Sequence, residues 1–225
     1  MRHLRLKALA GLLNLVVILG ACLFLPAWTL RYWQAWAFLA VSTACVLAIT
    51  LYLMAHDVGL LERRMHVGPV AEKQVTQKLV QSVASLAFVA LFIVPSLDHR
   101  FGWSSVPVPL VVAGELLVAG GLFVVFLVFR ANSFTSATIE VGAEQKVVST
   151  GPYAIVRHPM YAGALVMLLG VPLALGSWWG LLAFGPMLCA ITWRLSDEER
   201  LLLRELPGYA EYRAKVRHRL VPKLW

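Results

Sequence analysis

Residues 149–163 combine side chains suited to holding a small charged ligand. They read Ser-Thr-Gly-Pro-Tyr-Ala-Ile-Val-Arg-His-Pro-Met-Tyr-Ala-Gly, so the basic pair Arg157 and His158 directly precedes Pro159. Beyond Pro159 the chain is apolar over a membrane-length run, and proline is tolerated at the first helical position. A helix is therefore predicted to begin at Pro159. The unpaired N–H groups at such a helix start, with a cation beside them, favour a carboxylate or phosphate.

A complementary acidic pair, Glu198 and Glu199, follows the last apolar run of the chain. Ser196 and Glu199 have the spacing of a capping box, so either a new helix begins here or the preceding helix continues. In both cases a two-helix hairpin returns the acidic pair to the membrane depth of the basic pair. Together they offer the two poles that an aminoacyl zwitterion requires, and the rings of Tyr153 and Tyr161 could lie against a sulfonium. The alternative is an interfacial ion-pair network with no ligand.

The composition predicts an integral membrane protein. Of 225 residues, 60% are hydrophobic and 14% are charged, and the mean hydropathy is +0.74. These values are too apolar for a soluble domain of this length. The predicted fold is all-α and polytopic, with about six transmembrane helices.

Six apolar runs carry this prediction, at residues 8–28, 33–54, 79–97, 106–129, 159–175 and 178–194. Only Gly176 and Ser177 separate the last two runs, which predicts a helical hairpin. An amphipathic C-terminal tail follows, interrupted by Leu-Pro-Gly at residues 206–208. The chain is therefore divided into a four-span membrane region, 1–129, and a catalytic region, 130–225.

The basic residues predict the orientation. Of the 20 lysines and arginines, 18 lie on the side that carries both termini and the motif, and only Arg31 and Arg100 lie on the other. The positive-inside rule places both termini and the motif in the cytoplasm. This distribution also accounts for the net charge of +8, so we expect the lipid bilayer and no nucleic acid as a partner.

Other polar groups are less informative. The three cysteines lie in apolar runs without CxxC or Cys/His spacing, so we predict no disulfide and no metal site. Glu115 lies within the fourth apolar run, where a carboxylate either serves transport or catalysis or makes a structural pair. The polar connection at 55–78, which contains Arg63 and Arg64, is interpreted as a solvated loop that could include a short surface helix; a substrate-gating role is the alternative.

Several of these residues together resemble the isoprenylcysteine carboxyl methyltransferase family, whose wider superfamily includes phospholipid N-methyltransferases. The resemblance covers mainly residues 130–225 and is typical of bacterial members. Its most specific part is Arg-His-Pro-x-Tyr with a downstream Glu-Glu pair. The residues that carry it are Gly151, Pro152, Tyr153, Arg157, His158, Pro159, Met160, Tyr161, Gly163, Glu198, Glu199, Tyr209, Tyr212, Arg219, Leu220, Val221 and Pro222.

The resemblance implies an integral membrane enzyme that uses S-adenosyl-L-methionine, in a bacterial inner membrane. The residues implied to line the cofactor pocket are Tyr153, His158, Pro159, Tyr161 and Gly163, with Glu198 and Glu199 anchoring its amino or ribose groups. Arg157 is implied to hold a substrate or cofactor carboxylate, while Asn132 and Ser133 are candidates for the substrate side. A carboxylate acceptor needs no base, whereas an amine or phenol would need His158 or Glu198.

The predicted function is therefore methyl transfer to a lipophilic acceptor, with a carboxylate as the favoured group. The alternatives are a phospholipid N-methyltransferase, an NADPH-dependent membrane reductase of the sterol type, and a small membrane transporter. A dinucleotide brings phosphates, so the reductase would need more cations around the motif than Arg157 and His158. A transporter would use Glu115 and leave Arg157 and Glu198 dispensable.

Overall fold

The computed structural model describes residues 2–64, 75–134 and 146–223, and these contain helices and no β-strand. The predicted 55–78 connection and 130–158 segment therefore lie partly outside the described residues. The α-helices are α1 (Arg2–Ala27), α2 (Trp33–His56), α3 (Val58–Arg64), α4 (Val75–Phe101), α5 (Val108–Ala131), α6 (Pro159–Ala174), α7 (Gly180–Glu205) and α8 (Tyr209–Lys215). A short 3₁₀ helix covers Gly151–Ala154.

The all-α polytopic prediction is confirmed. In the described chain, four helices have the length and composition to cross a membrane: α1, α2, α4 and α5. The two helices of the predicted hairpin differ from these. Helix α6 is apolar but has only 16 residues, and α7 has 26 residues with its charged groups towards its C-terminal end.

The helix formed by the sixth apolar run does not end before the acidic pair. Helix α7 continues through Ser196, whose hydroxyl donates to the carbonyl of Thr192 at 2.8 Å. A side chain bonded back into its own helix is not an N-terminal cap, so the capping-box alternative is wrong. The helix ends at Glu205, and Gly208, with φ 82°, supplies the left-handed conformation that starts α8.

Three loops meet at the end of the molecule opposite the motif. The carboxylate of Asp98 accepts hydrogen bonds from the backbone N–H of Ser104 at 2.7 Å and from the hydroxyl of Ser177. The hydroxyl of Tyr32 donates to the carbonyl of Leu175 at 2.6 Å, and its ring stacks on His99. The α1–α2, α4–α5 and α6–α7 connections therefore lie on one side, as the predicted order of spans requires.

Glycine residues bring α5 and α6 into close contact. A Cβ atom on Gly121 would lie 2.5 Å from the carbonyl oxygen of Gly163, and one on Gly114 would lie 2.3 Å from the backbone nitrogen of Ala174. Gly170 faces Gly114 in the same way, at 2.7 Å from its carbonyl oxygen. Small residues at such crossings let backbones approach where lipid offers no hydrophobic drive. This contact fixes the start of α6 beside the end of α5.

Candidate functional site

The segment that leads into α6 has the predicted geometry. Gly151, with φ 59°, opens the 3₁₀ helix that carries Tyr153, and His158 directly precedes Pro159 at the first position of α6. The C-terminal tail pairs with this segment, because the backbone N–H of His158 donates to the carbonyl of Arg219 at 3.0 Å. The predicted helix start at Pro159 is confirmed.

Arg157 is buried and holds the tail against α7. Its Nε donates to Oε1 of Glu199 at 2.7 Å, and one Nη donates to the carbonyls of Val216 at 2.9 Å and Arg217 at 2.7 Å. The other carboxylate oxygen of Glu199 lies 2.9 Å from Nε of Arg219. The basic and acidic pairs therefore meet, but through Glu199, and the guanidinium of Arg157 is largely occupied by the protein itself.

Glu198 lies in a different environment from its neighbour. Its Oε2 accepts a hydrogen bond from the hydroxyl of Tyr161 on α6. The same carboxylate acts electrostatically on Arg64, Tyr153, His158 and Tyr161. Glu198 is thus a carboxylate that interacts with both the cationic and the aromatic groups at this end of the molecule.

Buried polar atoms without partners surround Glu198. Within the residues that the structure describes, Nε2 of His158, the hydroxyl of Tyr209 and Nε of Arg64 are buried and accept or donate no hydrogen bond. An unpaired buried polar group is costly, and each such group in a folded protein requires an explanation. A polar ligand that supplies the missing partners is the explanation most consistent with their clustering.

Burial sets the protonation of these groups. It lowers the pKa of His158 below its ordinary value, although the carboxylates of Glu198 and Glu199 act in the opposite direction. Burial also raises the pKa of Tyr153 to about 12 and raises that of Tyr209. At neutral pH the site therefore contains a neutral imidazole and neutral phenols beside the side chains of Glu198 and Glu199.

The two residues predicted for the substrate side, Asn132 and Ser133, directly follow α5. Asn132, directly after α5, donates from Nδ2 to the hydroxyl of Tyr153 at 3.1 Å. Ser133 is exposed, and its carbonyl accepts from Arg63. Gly163 lies at the α5–α6 crossing, where an added Cβ would lie 3.0 Å from Val124, so its position is explained by helix packing.

Arg64 belongs to this cluster, although the sequence predicted a solvated loop for its segment. Residues 58–64 form a short helix, α3, but it is not a solvated surface helix, because Leu60 and Leu61 are buried. One Nη of Arg64 lies 3.7 Å from the sulfur of Met160, and its guanidinium lies 4.9 Å from the ring centroid of Phe129. The only sequence signal was that two apolar residues precede the basic pair with helical spacing.

An apolar cleft of about 630 Å³ adjoins the 150–159 segment. It is bounded by α5, α6 and the C-terminal tail, with the guanidinium-bearing Arg130 at its edge. The residues that line it include Val124, Leu127, Ile155, Val156, Pro159 and Leu220. Its size and lining suit an aliphatic chain.

Glu115 is not part of either feature. It lies within α5, and both of its carboxylate oxygens are buried without a partner among the described residues. Its role in transport, catalysis or a structural pair stays a prediction.

The fold and the polar cluster define an all-α, integral membrane protein with a charged site at one end of its helices. Residues 110–208 match the phospholipid methyltransferase family model. The match contains nearly all of α5, the 149–163 motif and the Glu198–Glu199 pair, and it agrees with the wider superfamily predicted from the motif. A comparison with curated proteins found no match.

Proposed function

We propose that this protein is a membrane methyltransferase that uses S-adenosyl-L-methionine and methylates a lipophilic acceptor. The proposal rests on one observation: the polar cluster lies largely within the region that matches the family model. The region similar to phospholipid methyltransferases, residues 110–208, contains Glu198, Tyr161 and His158, which belong to the buried cluster with unpaired polar atoms.

The residues present fit this methyl donor. Its ammonium can bind the carboxylate of Glu198, and the hydroxyl of Tyr209 and Nε2 of His158 can bind its polar groups. The rings of Tyr153 and Tyr161 can lie against its sulfonium. When bound, the donor supplies a methyl group on a sulfonium, and the electrons of the broken C–S bond remain on sulfur.

The favoured acceptor is a lipophilic carboxylate. A carboxylate is ionised at neutral pH, so the site has only to align it and exclude water. The apolar cleft can hold its aliphatic chain, while Arg130 offers a cation at the edge for its charged end. Such an amphiphile would reach the cleft from the bilayer.

A phospholipid amine is the second candidate, and the matched family favours it. An amine must lose a proton as the new C–N bond forms. His158 is suited to accept that proton, because burial keeps its imidazole neutral and Nε2 has no partner among the described residues. His158 would then be a catalytic residue for an amine acceptor and a binding residue for a carboxylate acceptor.

Calorimetry on the full chain in detergent tests the donor. We expect micromolar binding of S-adenosylhomocysteine and no binding of NADPH. The NADPH arm is necessary because Arg64, Arg213 and Arg219 add cations around the motif, so the sequence argument against a dinucleotide no longer holds. Binding of NADPH alone would favour the reductase, and binding of neither would favour a transporter.

The acceptor class can be read from the product. Membranes containing the protein are incubated with donor carrying a radiolabelled methyl group, and the lipid extract is treated with alkali. A methyl ester is hydrolysed and releases volatile labelled methanol, whereas an N-methyl group stays on the headgroup and its label remains non-volatile. Base-labile label would support the carboxylate acceptor, and base-stable label would support the phospholipid amine.

A further inference from the structure

Arg64 is held in place by the packing of α3. Leu60 is fully buried and Leu61 nearly so, and the carboxylate of Asp57 accepts from the backbone N–H of Leu60 at 2.8 Å, which caps the helix. Arg64 is the last residue of this helix. Its side chain is therefore delivered to the cluster by a fixed element that lies outside residues 110–208.

The surroundings of Arg64 do not satisfy its charge. Its contacts are the thioether of Met160, a weak acceptor, and the ring face of Phe129. In the described part of the chain, no carboxylate lies within ion-pair distance of it, and its Nε is buried without a partner. A buried guanidinium is stable only when an anion or good acceptors compensate its desolvation.

Glu198 is the carboxylate that acts electrostatically on the guanidinium of Arg64. Met160 precedes Tyr161, and the hydroxyl of Tyr161 donates to Glu198. In an aminoacyl group the ammonium and the carboxylate are bonded to the same carbon, so their two binding groups must lie side by side. Arg157 is less suited than Arg64 to bind the carboxylate beside Glu198, because its Nε and one Nη are bound to Glu199 and to carbonyls of the tail.

We propose that Arg64 binds the carboxylate of the methyl donor's aminoacyl group while Glu198 binds its ammonium. This inference rests on the proposed function and deepens it. It assigns the cation that binds the donor's carboxylate to α3 instead of the 149–163 motif, and α3 lies outside the region matched by the family model. Arg157 then acts by holding the tail over the site.

The test compares two ligands that differ in the aminoacyl group. S-adenosylhomocysteine carries it, and 5′-methylthioadenosine lacks it. In calorimetry on the full chain in detergent, Arg64→Gln should weaken S-adenosylhomocysteine binding by roughly 10- to 100-fold, the range of a charge-assisted contact. The same variant should bind 5′-methylthioadenosine as the unaltered protein does, which also shows that it is folded. Arg64→Lys should lie between the two, because an ammonium keeps the charge without the planar fork.

Arg63→Gln is the matched control, because Arg63 is exposed and donates to the carbonyl of Ser133. It should bind both ligands normally. Equal weakening of both ligands by Arg64→Gln, or no weakening of either, would overturn the role of Arg64. If the unaltered protein binds 5′-methylthioadenosine and S-adenosylhomocysteine equally, the aminoacyl contact is absent. If it binds neither, the proposed function itself fails together with this inference.

Discussion

The Nε atom of Arg157 lies 2.7 Å from Oε1 of Glu199, and their side chains are 5% and 4% exposed. This contact joins the start of α6 to the charged end of α7. The backbone carbonyls of Val216 and Arg217 complete the shell of Arg157. The guanidinium therefore fastens three parts of the chain together.

Arg157→Gln should destabilise the protein strongly. The variant leaves the carboxylate of Glu199 buried with less compensation, which typically costs about 3–5 kcal/mol. A thermal melt in detergent should show a lower melting temperature for Arg157→Gln than for the unaltered protein. Arg213→Gln is the control, because Nε of Arg213 lies 3.9 Å from Glu199 and its side chain is 45% exposed, so we expect a change below about 1 kcal/mol. Equal melting of Arg157→Gln and the unaltered protein would contradict this role.

Glu198→Gln should weaken ligand binding with little effect on stability. The amide oxygen can still accept from Tyr161, but the negative charge for an ammonium is gone. We expect roughly 10- to 100-fold weaker binding of S-adenosylhomocysteine by calorimetry. Asp197→Asn removes a neighbouring carboxylate that pairs with exposed Arg200, and it should leave binding unchanged. Normal binding by Glu198→Gln would remove Glu198 from the site.

Gly121→Ala should damage the site through α5 and α6. Its Cβ would lie 2.5 Å from the backbone of Gly163 and of Met167, so the helices must separate. Overpacking of this kind typically costs about 1–3 kcal/mol, and it shifts the residues at the start of α6. Gly120→Ala provides a matched comparison, since a Cβ there meets nothing within 4 Å. Only Gly121→Ala should lower the melting temperature and weaken S-adenosylhomocysteine binding. Identical behaviour of the two variants would refute the close crossing.

Stability should decrease on acidification because of His158. Burial lowers its pKa, so the unfolded chain binds the proton at a higher pH than the folded protein does. The folded state therefore loses stability as the pH falls from about 6.5 to the lowered pKa, and below that value the loss is complete. The melting temperature of His158→Gln should fall less between pH 8 and pH 5 than that of the unaltered protein. Parallel curves for the two proteins would show that the imidazole is not buried in the neutral form.

Much of the fold could be predicted from local pattern. Long apolar runs indicated the membrane helices, Gly176 and Ser177 indicated the hairpin turn, and Pro159 indicated the start of α6. Each of these signals depends on residues that are adjacent in the chain. Local pattern left two alternatives open at α7, because a capping-box spacing at Ser196 is also compatible with the continuous helix that the structure shows.

The sequence by itself determined the all-α membrane fold class, the helical hairpin and the set of charged and aromatic residues at the end of the helices that carries the motif. Only the tertiary structure decided how these residues are paired. Glu198 and Glu199 are neighbours in sequence, but successive helical residues point about 100° apart. Glu199 therefore faces Arg157, and Glu198 faces Tyr161. Arg64 joined the cluster through the packing of α3 against distant parts of the chain, and local sequence pattern does not encode such long-range contacts.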